Sequence, residues 1–134
     1  MKLLLIRLII IPFVIVLASC ANMNTITTAH ARTGISRNFN NDHELVKAAV
    51  IASVQSLNIN IKESGQTPDG FYILFTRSIS VGRVLVTKVD DNNTLVFVHS
   101  VMRGFPPVGV DKKTHVIAKG IFEGVTEILE RREE

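Results

Sequence analysis

Three short stretches hold residue types that do chemistry, and their spacing decides what they can do. Asp42-His43-Glu44 sets two carboxylates around an imidazole, the donor types of a zinc corner. Successive residues on a helix point about 100° apart, so these three cannot converge on one ion without distant partners. They read instead as a helix start, with acids near the positive end of the dipole. His99-Ser100 sets a base beside a hydroxyl. Neighbours in a strand face opposite ways, no G-x-S-x-G elbow is present, and His99 falls in phase with Leu95, Phe97 and Val101. A structural histidine is expected. Asp90-Asp91-Asn92-Asn93 has the oxygen-rich composition of a calcium loop, but not the sixth-position Gly or distant Glu of that pattern. It reads as a hairpin turn. Gly104 and Gly109 bracket prolines rather than opening a phosphate loop. No metal site, cofactor or catalytic set is expected, and the chain does not read as an enzyme.

The remaining reactive group is Cys20, the single cysteine of the 134-residue chain. It closes the stretch MKLLLIRLIIIPFVIVLASC, in which Lys2 and Arg7 form a positive start and Leu8 to Leu17 carry no charge. A charged start, a short apolar run and a small-residue exit make a secretory signal. The apolar run is about half of the ~20 residues that a bilayer span needs. Its ending, Leu17-Ala18-Ser19-Cys20, closely resembles the lipobox of bacterial lipoproteins. That resemblance implies cleavage before Cys20, a diacylglycerol on its sulfur and an acylated amino terminus. Ala21 and Asn22 follow where an Asp would favour inner-membrane retention. The resemblance thus implies a protein on the outer membrane of the bacterial cell envelope, facing the periplasm.

Loss of residues 1–19 would leave 115 residues, enough for one small domain. The formal charge of +3 shrinks with them: without Lys2 and Arg7, 13 basic residues meet 12 acidic ones. Nucleic-acid binding needs concentrated positive charge, so no such partner is expected. With its cysteine committed to lipid, the domain has no disulfide and holds by packing alone.

The elements follow from periodicity. Residues 20–40 are polar and Asn/Thr-rich, and read as a flexible tether with a root-mean-square reach of about 25 Å. Asn41-x-x-Glu44 has the form of a capping box. Val46, Val50, Val54 and Leu57 then predict one helical stripe. From Leu57 the period changes to two, with Ile59 and Ile61 in a first strand. SGQTPDG (64–70) reads as a loop and 71–78 as the second strand. After a turn around Gly82 come a third strand, 84–89, and a fourth, 94–103, joined as a hairpin. Ile117, Ile121, Val125 and Ile128, widened by Ala118, Phe122 and Leu129, give the stripe of a last helix from 111 or 112 to 130. The expected fold over 41–134 is α+β, order α-β-β-β-β-α: a two-layer domain with an antiparallel four-stranded sheet and both helices on one face.

Two surfaces stand out for binding. The strands carry apolar residues on both faces, and two helices can cover one of them, so the other is expected to expose an apolar patch. Arg103, Phe105, Pro106, Pro107 and Val108 form a stiff apolar loop tip beside a cation. The mature chain also resembles small cell-envelope lipoproteins of unknown function, by lipobox, polar tether, compact α+β domain and the RG-x-x-x-x-G stretch from Arg103 to Gly109. The resulting expectation is a lipid-anchored, non-catalytic interaction or accessory module. It would hold the membrane through its anchor and an envelope protein through the open sheet face or the 105–108 loop. The alternative is a binder of a small apolar or lipid ligand.

Overall fold

The computed structural model describes residues 22–30, 32–104 and 112–134. Its elements are α1 (Met23–Thr28), β1 (Ile35–Phe39), α2 (His43–Ser56), β2 (Asn60–Thr67), β3 (Gly70–Arg77), β4 (Ser80–Asp90), β5 (Asn93–Met102) and α3 (Lys112–Glu133). The strands form one antiparallel sheet in the order β1-β5-β4-β3-β2.

The α+β class and the single antiparallel sheet are as expected, but the sheet has five strands rather than four. The additional strand is β1, which pairs with β5 from Ile35↔Val98 to Phe39↔Thr94. Both β1 and α1 lie in the stretch read as tether. Their signals are weak because β1 is a polar edge strand and α1 is rich in threonine, a poor helix former. Packing supplies what propensity does not.

The helix-side core follows the alternation of the strands. Phe71, Ile73 and Phe75 of β3, Val84 and Val86 of β4, and Val96 and Val98 of β5 turn inward. They meet Val46, Val50 and Val54 of α2 and Ile117, Ile121, Val125 and Leu129 of α3. Ile128 is half-buried at the margin of that stripe. The helices approach closely because Gly124 faces Ser53, where an added Cβ would stand 2.7 Å from Ser53 Oγ.

Local signals set the boundaries, with small shifts from expectation. The cap of α2 is Asp42 rather than Asn41: its two carboxylate oxygens accept from the N–H groups of Glu44 and Leu45. The helix ends at a left-handed Asn58 (φ 54), with the Ile59 N–H returning to the Val54 carbonyl. The turn expected at Gly82 lies instead at Ser78-Ile79, between β3 and β4. Gly82 is inside β4, where a side chain would collide with the Phe75 ring. The hairpin at 90–93 is as expected. The Asp90 carboxylate accepts from the Asn92 N–H and the Asn93 amide, and these bonds hold it below the usual carboxylate value.

Candidate functional site

The face of the sheet turned away from α2 and α3 is where an open apolar patch was expected. Part of it is covered. Ile26 of α1 is fully buried against Leu74, Val81 and Val101, with Met23 and Tyr72 packed at the margin. Burial of that one isoleucine contributes about 1.5–3 kcal/mol. The open-face expectation is corrected accordingly: a third helix, drawn from the supposed tether, lies on it.

Two polar devices frame this contact. At the start of α1, the Asn22 side chain accepts from the Thr25 N–H while Thr25 Oγ1 accepts from the Asn22 N–H, which closes a capping box. At its end, Arg83 of β4 reaches across the sheet face. Its Nη1 donates to the carbonyls of Ile26 (3.3 Å) and Ala29 (3.2 Å), and its Nη2 to that of His30 (2.8 Å). The Ile26 carbonyl also accepts from the Ala29 N–H (3.3 Å), and the guanidinium adds donors to it and to the two carbonyls just past the helix. Burial pulls the Arg83 guanidinium below its ordinary value.

Beside α1 the face stays accessible. A cleft of about 370 Å³ is lined by Thr27, Tyr72, Leu74, Arg83 and Leu85, with Glu63 at its rim. Tyr72 donates from its hydroxyl to Glu63 Oε1 at 2.7 Å. That bond first, then burial and the glutamate's charge, raises the phenol above its usual 10.0. Further along the same face Leu95 is half-exposed, and Phe97 is nearly covered.

The residues singled out for chemistry do not come together. Ser100 sits on the opposite face from His99. Its hydroxyl shares a 2.7 Å hydrogen bond with Thr114 Oγ1, and Thr114 Oγ1 also donates to the Ser100 carbonyl (3.0 Å). Ser100 therefore fastens β5 to the first turn of α3, and His99 is buried on the outer face at 7% exposure. In the 42–44 stretch, Asp42 caps α2, Glu44 is exposed, and His43 Nδ1 lies 3.6 Å from Glu44 Oε1. His43 Nε2 is buried without a hydrogen-bond partner, next to Gly70 at the start of β3. Among the described residues no group of three or more His, Cys, Asp or Glu side chains is placed to hold a metal.

Of the expected interaction residues, Arg103 is exposed just after β5, and its N–H donates to the Ile79 carbonyl at 2.7 Å. Phe105, Pro106, Pro107 and Val108 lie outside the described residues, as does Cys20. Sequence reasoning missed Arg83, and it placed Tyr72 with Leu74 on one apolar face of its strand without finding the hydroxyl's partner Glu63. Arg83 carried one usable signal, a lone cation within the apolar run Val81–Val86. No known protein-family model matches the chain, and no curated protein matches it.

Proposed function

We propose that the chain is a lipid-anchored module of the bacterial cell envelope, facing the periplasm, that binds a protein partner without catalysing a reaction. The observation that carries the reading is the packing of α1. A helix that begins at Met23, three residues after Cys20, is seated on the sheet through Ile26 and Arg83. Three residue steps span at most about 11 Å. An acyl anchor at Cys20 would therefore hold the outer sheet face close to the bilayer instead of on a long leash. There Tyr72 and Leu85 line an accessible cleft beside Thr27 of α1, and Leu95 is half-exposed further along the same face. Such apolar surfaces on compact domains serve as contact surfaces.

Fractionation and cross-linking in intact cells test this directly. Wild type should be recovered with membranes and cross-linked to a discrete partner. Cys20→Ser should leave the protein unprocessed or released. Leu85→Asp should remove the cross-link with the thermal transition retained, and Phe105→Asp or Val108→Asp should do so if the loop shares the contact. A Cys20→Ser protein that is processed and membrane-bound like wild type would refute the anchor, and an unchanged cross-link in all three aspartate variants would refute the docking surface.

A second reading, a binder of a small apolar or lipid ligand, draws on the cleft lined by Leu74, Tyr72 and Leu85. Apolar walls with a few polar groups at the rim suit such a ligand. Mass spectrometry of the purified protein separates the two readings: a stoichiometric carried lipid favours the second.

A further inference from the structure

A groove on the helix side of the molecule runs between β1 and α3, away from the outer-face cleft. It has two hollows, of about 380 and 310 Å³. Ile35, Ala118 and Phe122 line the first, and Phe39, Thr126 and Leu129 the second. Arg37 belongs to both, and its guanidinium carbon stands 5.9 Å from the centroid of the Phe122 ring. One wall of the groove is the edge of the sheet. Among the described residues β1 pairs with β5 alone, so alternate residues of β1 turn their N–H and C=O groups toward the groove.

The two edges of the sheet differ. Along β2 the register shifts between Ile61 and Glu63, with Lys62 at the irregularity. A bulge and a charge are means by which proteins blunt an exposed edge. β1 keeps step with β5 through five consecutive pairs and contains neither proline nor glycine. β1 is short and turns the Arg37 cation inward, which limits edge pairing, but its regular edge beside a trough of mixed polar and apolar lining has the geometry that accepts an added strand.

Charge gives the trough a polarity. Arg37, His115 and Lys119 stand at the first hollow with Glu123, which pairs with Lys119 at 3.8 Å. Glu130 and Glu133 stand at the second, where Arg37 also reaches, so acidic charge is in excess there. The positive end of the α3 dipole lies toward the first hollow. β1 and α3 run the same way along the groove, since residues 35–37 share a hollow with 115–123 and 38–41 with 126–133.

We propose that this groove binds an extended peptide segment of a partner protein as a sixth strand, antiparallel to β1. The segment begins with basic residues beside Glu130 and Glu133 and ends with acidic residues or a chain carboxylate beside Arg37 and Lys119. Two apolar side chains four positions apart fill the hollows: Ala118 and Thr126 are separated by about 12 Å along α3, the rise of about four strand residues. Backbone hydrogen bonds supply affinity, and the order of charges fixes direction. The proposal stands independently of the anchor and of the outer-face cleft, so either can fail alone.

The probe is a labelled peptide of about ten residues: two lysines, alternating valine and threonine, then two glutamates. Its binding to the detergent-solubilised full chain is followed by fluorescence anisotropy. It should bind about ten-fold tighter than the peptide with lysines and glutamates exchanged. The double variant Lys119→Glu/Glu130→Lys, altered only at exposed positions, should reverse that preference. Methylating alternate backbone nitrogens of the probe should abolish binding, because the added strand then cannot pair. Equal affinity for both peptides, a preference that survives the charge exchange, or indifference to methylation would overturn the proposal. So would a wild-type chain that is dimeric in light scattering and releases its partner copy when β1 is occupied, since the edge would then belong to a second copy.

Discussion

Tyr72 and Glu63 meet across the β2–β3 pair at 2.7 Å, and the phenol that makes this bond is the only tyrosine of a chain without tryptophan. The ultraviolet signal of tyrosinate therefore reports one residue. Titration should show Tyr72 ionising above 10.0, with Glu63→Ala moving it back toward that value. The native state keeps its proton to higher pH than the unfolded chain, so the contribution is complete below 10.0 and is lost as pH rises through the raised native value. A titration unmoved by Glu63→Ala would show that this bond is not formed.

The seating of α1 depends on one apolar residue and one cation. Ile26→Ala is expected to cost about 2–5 kcal/mol if α1 unfolds with the rest of the domain. A smaller loss, with amide exchange speeding up only over residues 22–30, would mark α1 as a locally opening unit. Arg83→Met keeps much of the side-chain bulk and removes the donors to Ile26, Ala29 and His30. It should loosen the end of α1 and leave exchange in β4 and β5 unchanged.

Gly124 tests the approach of α2 and α3. Alanine is a better helix former by about 1 kcal/mol, yet Gly124→Ala should lower stability by about 1–3 kcal/mol through overpacking. Its Cβ would meet Ser53, whose hydroxyl is held by the Ala49 carbonyl at 2.8 Å. Pairing it with Ser53→Ala should recover part of the loss. Denaturant melts of the two single variants and the double variant measure the coupling.

Much of the helix-side layer was legible because burial there repeats with the period of each element. Val46, Val50 and Val54 on α2 and Ile117, Ile121 and Val125 on α3 each fall on one stripe. In β3 and β5 the alternation marks faces but does not reveal which face a helix will cover. β1 escaped notice because the middle member of its inward set, Ile35, Arg37 and Phe39, is a cation whose guanidinium lies over the Phe122 ring. The stretch 64–67 read as a loop because of Gly65 and Pro68. Gly65 is a strand residue there, and its bare backbone lies under the Tyr72 ring, which an added Cβ would approach to 2.9 Å.

The candidate site was less legible for a physical reason. The capping box that opens α1 is formed by Asn22 and Thr25 in a segment with only two large apolar side chains, Met23 and Ile26. No periodicity can be read from two residues. Their partners Leu74, Val81 and Val101 are distant in the chain, and the contact exists only once the sheet has formed.

The pairing of β1 with β5 has a temporal consequence. Ile35 faces Val98 across a separation of 63 residues, and closing so long an interval carries an entropic cost that slows assembly. A polypeptide emerges from the ribosome amino end first, so the first strand waits exposed until nearly three-quarters of the chain has been made. During that wait β1 has no β5 to meet, so the margin of the sheet closes only after β2, β3 and β4 have been made.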